Sequence, residues 1–321
     1  MNVYYSPAYA GSSYAFETTR KSKWVADSLT ETPITNMTLL APQPLSPEQL
    51  ALAHDPHYVS AVQTGSPLEL AQSQGFTWDP GLWSMVLASS GGAVAAALDA
   101  MRSGLAGSLS SGLHHARRSV GLGYCTFNGL VIAAREAIAA GARSVLILDL
   151  DAHCGGGTAS MIGNEPRIWQ LDVSVDNYDS YESSDRIHLH MVVSSDAYLS
   201  DIANSLREVA LRGPRFDLCL YNAGMDPFEG CSDGGLTGIT RDMLASREQM
   251  VFNWCRQQEL PVAFSLAGGY IGEKLDQQGL VDLHRLTLSA AARQSRIHKD
   301  QVAVNRNPTG HHGAPLVDRH F

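Results

Sequence analysis

The most constraining feature of this chain is a short apolar run, Ser144–Leu150 (SVLILDL), that leads directly into Asp151-Ala152-His153 and then Cys154-Gly155-Gly156-Gly157. An uninterrupted apolar run of strand length, closed by polar and glycine residues, reads as a strand buried on both faces. Such a strand needs a parallel sheet with helices above and below it. Other runs fit the same sheet: Val3–Tyr5, Ser108–Ser111, Ile168–Val173, Asp217–Tyr221 and Val262–Leu266. Helical patterns alternate with them, over about 82–101, 128–140, 198–211 and 240–257. Ser46-Pro47-Glu48-Gln49 has the form of a capped helix start, with Pro at the first helical position and Gln three residues after Ser. The expected class is therefore α/β, with a mostly parallel central sheet and helices on both faces.

Composition narrows the setting. The 321 residues suit one large α/β domain or two ordinary ones, and a 44% hydrophobic share is enough to build a sizeable core. No apolar run in the sequence suggests a membrane span, and the N-terminus lacks a charged-then-apolar leader pattern. A cytoplasmic protein is expected. The net charge of -9 disfavours general nucleic-acid binding and is compatible with cationic amine substrates. Five cysteines without a Cys-x-x-Cys pair argue against a disulfide framework or a cysteine-based zinc site. Residues 1–298 are expected to form the body. Residues 299–321 are read as a polar tail or packing segment, and the pair His311-His312 within it as plain surface.

In open α/β sheets, ligands gather beyond the carboxyl ends of the strands. Four polar clusters fall there. Asp151 and His153 are two residues apart, so on an extended segment both face one side and both can reach one metal; Asp149 adds charge at the same core edge. Asp226 follows the apolar run ending at Tyr221 and is a possible third ligand, although Gly224 and Pro227 equally suit a turn or a cap. His114 and His115 are adjacent after a small-residue strand and have the right pKa to move a proton beside a metal, or are ordinary loop histidines. Gly268-Gly269-Tyr270 allows close backbone approach, and its phenol is a possible donor to an oxyanion.

Taken in order, these segments resemble the histone deacetylase and acetylpolyamine amidohydrolase superfamily over about residues 3–288. The resemblance also includes His54-Asp55-Pro56-His57-Tyr58-Val59 and Gly123-Tyr124-Cys125-Thr126-Phe127-Asn128. The stretches 151–157, 221–230 and 234–236 are most similar to the class IV branch. The resemblance implies the three-layer arginase/deacetylase-type fold and zinc-dependent hydrolysis of an N-acyl amine, either an acyl-lysine or a small molecule such as an acetylpolyamine. It implies that Asp151, His153 and Asp226 hold Zn²⁺. His115 is then the proton carrier, His114 its electrostatic partner held by Asp149, and Tyr270 the oxyanion donor. Gly123 and Tyr124 would line the substrate channel, and a monovalent cation such as K⁺ would lie near Asp149 and Asp172.

The chain also departs from the family. Gly156 stands where many members carry an acid that pairs with the second histidine, and Cys154 where many carry a histidine. His115 is therefore expected to lack a carboxylate partner and to have a lowered pKa. Residues 17–20 lack the usual His-Pro pair. Trp78-Asp79-Pro80 is a candidate rim loop or simply a turn into a helix. Two rival functions remain: a non-catalytic metal or acyl-amine binding module, and an arginase-type ureohydrolase, which would need an acid at Gly155.

Overall fold

The computed structural model describes residues 1–306, with side chains described as far as residue 295. Eight strands form one sheet: β1 (Asn2–Tyr4), β2 (Thr38–Leu40), β3 (Leu105–Ser108), β4 (Val145–Asp149), β5 (Ile168–Ser174), β6 (Ile187–Met191), β7 (Leu218–Gly224) and β8 (Val262–Ala267). Their order is β2-β1-β3-β8-β7-β4-β5-β6, and every pairing is parallel. Parallel neighbours need crossovers, and helices supply them. These are α1 (Glu17–Glu31), α2 (Pro47–Ala51), α3 (Pro56–Thr64), α4 (Leu68–Ala71), α5 (Pro80–Ser103), α6 (Gly129–Ala139), α7 (Gly156–Ile162), α8 (Tyr198–Arg212), α9 (Arg241–Gln257) and α10 (Gln277–Arg306).

The strand period of two separates the core into two layers. In β4, Leu146 and Leu148 pack with residues of α1, α8, α9 and α10 on one face. Val145 and Ile147 pack with residues of α3, α5 and α6 on the other. Both faces are covered, as the apolar run 144–150 requires, and the three-layer α/β expectation holds.

Three details differ from the sequence reading. β3 lies at 105–108, so Ser110 and Ser111 belong to the loop after it. The small-residue run there has no alternation to fix its ends. β2 and β6 carry mixed edge-strand patterns that do not resemble the buried core strands. Helix α5 is, by length and composition, apolar enough to cross a bilayer, contrary to the expectation that no run is. It is mostly buried and packs on α6 and β3, which makes it a core helix here. The helix start at Ser46 is present, with both hydrogen bonds of the capping box. The proposed boundary at residue 298 falls inside α10, and His311-His312 lie outside the described residues.

Candidate active site

The loops that follow β3, β8, β7 and β4 meet at the carboxyl edge of the sheet centre. The chain reverses its order across these strands, which opens a crevice above them. After β4 come Asp151 and His153, after β7 Asp226, after β8 Gly268 to Tyr270, and after β3 the histidine loop.

Asp151, His153 and Asp226 are buried, and one ligating atom from each lies within 4.8 Å of the others. His153 Nδ1 is 3.2 Å from Asp151 Oδ1 and 3.2 Å from Asp226 Oδ2. Asp226 Oδ1 accepts from the Ala152 N–H at 3.0 Å, while the buried Oδ2 faces the His153 ring nitrogen without an aligned hydrogen bond. A buried carboxylate oxygen without an aligned donor is costly unless a cation or proton meets it. Burial and the adjacent Asp151 charge push Asp226 up to about 6. Burial would lower His153, but the two carboxylates outweigh it and hold the ring up at about 12. The three donors together match the two-carboxylate, one-imidazole chemistry that suits a divalent ion with open positions.

Two histidines flank this cluster. His114 Nδ1 is 2.7 Å from Asp149 Oδ2, and its Nε2 is 3.1 Å from His115 Nε2. Burial alone would lower His114, yet Asp149 and Asp151 outweigh it and hold the pKa at about 10. Burial and the neighbouring His114 charge draw His115 down to about 4. His115 does have a carboxylate partner, so that expectation is corrected: Asp179 Oδ2 lies 3.0 Å from its Nδ1. The pKa is low as expected, but its cause is burial and His114. A carboxylate can only accept, so each partner requires a proton on the facing Nδ1. The His115 Nε2 lone pair therefore faces the His114 Nε2–H.

The histidine loop is fixed from behind. Asn128 Nδ2 donates to the carbonyls of His114 and Ala116, and the Thr158 N–H donates to His114 O at 2.9 Å. A Cβ at Gly157 would fall 2.3 Å from the His115 carbonyl, so only glycine lets α7 approach this loop. Tyr270 places its ring centroid 6.0 Å from that of His153. Burial and the charges of Asp226 and Asp151 push its phenol far up, so it stays a proton donor. The fully buried Lys21, lowered to about 8 chiefly by burial, donates to Gly268 O at 2.6 Å and holds that loop. A cavity beside the cluster is lined by Gly123, Tyr124, Phe76, Leu113 and Tyr270 and extends inward to Tyr9 and Ser110. Gly123 and Tyr124 both have positive φ, 51° and 60°, and the Tyr124 ring stacks on Phe16 at 4.8 Å.

The Histone deacetylase domain, as a family, matches residues 15–284. The chain belongs to this family. An uncharacterized protein of Picosynechococcus sp. (strain ATCC 27264 / PCC 7002 / PR-6) is 34% identical over 235 residues, which cover 71% of this chain and 78% of that one. Histone deacetylase 2 of Arabidopsis thaliana is 30% identical over 208 residues, 60% of this chain and 53% of that protein. The crystal structure of an acetylpolyamine aminohydrolase from Burkholderia pseudomallei superposes with a TM-score of 0.75 at 17% identity, covering 92% of this chain and 99% of that one. Family membership and the His/Asp cluster together support a hydrolase-type activity.

Several sequence candidates take plainer roles. Asp79 caps α5 by accepting from Gly81 N, and its other oxygen accepts from Ser12, so Trp78-Asp79-Pro80 is a helix start. The Cys154 thiol donates to Asp176 O at 3.4 Å and lies 3.5 Å from Met191 Sδ, away from the cluster. His54 bridges Arg117 O and Asn128 N and is a structural histidine. Three residues that position the site were missed, Asp179, Arg117 and Lys21, and Asn128 was read only as part of a motif. Only Asp179 had a signal in the sequence, because a glycine at 156 leaves His115 in need of another acceptor.

Proposed function

We propose that this protein is a zinc-dependent amidohydrolase that releases an amine from a linear N-acyl amide. Asp151, His153 and Asp226 would hold the ion, and the convergence of their ligating atoms within 4.8 Å of one another in a buried cluster is the observation that carries this reading. A zinc ion bound there would polarise the amide carbonyl and acidify a water molecule. His115 Nε2 carries no covalent proton, so once it turns from the His114 Nε2–H it can accept the water proton and pass it to the departing nitrogen. His114, kept cationic by Asp149, supplies positive charge beside it. Tyr270 can donate its phenol hydrogen to the oxygen that becomes negative. Gly123 and Tyr124, at the cavity wall, suit the alkyl chain of an acyl-lysine or acylated polyamine.

The class IV likeness of residues 151–157 and 221–230 belongs to this proposal and favours longer acyl chains. So does a monovalent cation near Asp149 and Asp172. Burial and the Asp149 charge push Asp172 up to about 7, which marks excess negative charge in that pocket. An arginase-type reaction fits poorly. An acid replacing Gly155 would bring its Cβ 2.8 Å from Gln170 Nε2 and 2.9 Å from Asp149 Oδ2, and among the described residues a single metal-ligating cluster is present.

The test is amine release by the zinc-loaded protein from acetyl- and long-acyl-lysine and polyamine amides, with Tyr270→Phe alongside. Wild type should turn over at least one class, and Tyr270→Phe should lose roughly 100- to 1,000-fold in kcat while keeping its metal, as for loss of an oxyanion donor. Equal rates for the two proteins would refute the role of Tyr270. No release from any amide by the zinc-loaded enzyme would favour the binding-module alternative.

A further inference from the structure

The residue that holds His115 does not come from the strand motif that holds His114. Asp179 sits in the loop between β5 and β6, and its side chain is only 2% exposed. Its Oδ2 receives the His115 Nδ1–H at 3.0 Å and the Gly157 N–H at 3.0 Å, while its Oδ1 pairs with Arg117. Arg117 also donates to Gly156 O at 3.1 Å, so one guanidinium ties the Asp179 carboxylate to the start of α7. Asp179 has φ of 57°, a left-handed conformation that is uncommon for a side-chain-bearing residue and is tolerated mainly by Asn and Asp. Conformational cost at a buried, fully engaged carboxylate points to a role in the site.

Gly156 completes the arrangement. A Cβ built there would lie 2.2 Å from the Asp179 carbonyl oxygen, 2.6 Å from its Oδ1 and 2.8 Å from its Cγ. A side chain at 156 and the carboxylate of Asp179 therefore compete for one volume beside His115. We propose that Asp179 is the positioning residue for His115, fixing its Nδ1–H tautomer and ring orientation from a loop, and that Gly156 is the clearance that admits it. Where the family resemblance implies an acid at 156, this chain supplies one 23 positions later, through a different backbone path. This arrangement ties the competence of His115 to the conformation of the 175–186 loop. The neighbouring Tyr178 ring meets His115 edge-on at 5.0 Å, so the loop that holds the histidine also forms part of the rim.

The kinetic arm of the test rests on the amidohydrolase reading, whereas the tautomer arm does not. Nitrogen-15 NMR of imidazole-labelled protein reports which ring nitrogen of His115 carries the proton. In Asp179→Gly, which suits the positive φ, the Nδ1–H tautomer should lose its dominance. By comparison with other orienting partners of catalytic groups, kcat should fall by roughly 10- to 100-fold with KM and metal content unchanged. Gly156→Asp should be impaired whether or not Asp179 is also replaced, because its Cβ meets the backbone carbonyl oxygen of residue 179, which no side-chain exchange removes. Asp179→Asn keeps the side-chain volume and reports the same direction with a smaller change if the glycine variant folds poorly. A His115 tautomer unchanged in both Asp179 variants, with kcat within about twofold of wild type, would overturn the assignment; by the same scale, that is less than the effect of a typical orienting partner. If no amide is hydrolysed by any variant, the tautomer result alone decides it, and the failure belongs to the proposed reaction.

Discussion

His114 and His115 are adjacent and both buried, yet they are held in different ways. Asp149, the partner of His114, lies at the end of β4, two residues from Asp151. Its other oxygen accepts from Asn222 Nδ2 at 2.8 Å and from the Asp151 N–H, so sheet and motif fix it together. Asp179, the partner of His115, comes from a loop and is clamped by Arg117, whose side chain is 36% exposed. The first histidine is set by the sheet, and the second by a loop. The partner of His115 is then the less deeply anchored of the two carboxylates, and the partner of His114 the more.

That contrast predicts unequal losses. The largest is expected for Asp149→Ala. It leaves His114 without its carboxylate in a buried site, and breaking a buried pair from one side costs about 3–5 kcal/mol. Asp179→Gly should destabilise less in denaturant unfolding, because Arg117 can turn to solvent. Equal losses would mean that the loop is as integral to the fold as the strand end.

A smaller effect sharpens the comparison at the β4–β5 edge. Asp172 is an acid whose folded pKa, about 7, lies above its unfolded value of about 3.9. The folded state therefore binds its proton more tightly than the unfolded state does. The penalty for Asp172 is absent below about pH 4, grows as pH rises, and is complete above about 7. Asp172→Asn should accordingly show little gain in Tm near pH 4 and its full gain at pH 8 in buffer free of K⁺. Potassium chloride should shrink that gain if a monovalent cation neutralises the pocket. A gain independent of pH would contradict the charge argument.

The same contrast explains what was legible in the sequence. The run 144–150 is a local pattern, and Asp151, His153 and Asp226 lie in the bends and turns just past strand ends, where they meet as expected although strand periodicity does not extend to them. The extent of β3 was misjudged because Leu105–Ser111 is too rich in small residues to mark where pairing stops. Asp179 was invisible because its partner is 64 residues away and no spacing rule links them. Its trace was indirect, a glycine where an acid was expected. The membrane-length character of α5 was missed because alanine, glycine and serine soften its apolar run without lowering its mean hydropathy enough.

The most direct test of the central claim is metal content of the purified wild-type protein and of His153→Ala after equal exposure to zinc and removal of the excess. The account predicts one tightly held zinc per wild-type chain, displaced by a chelator, and none retained by His153→Ala, with circular dichroism verifying that this variant is folded. Equal, stoichiometric zinc in both proteins would show that Asp151, His153 and Asp226 are not the metal site.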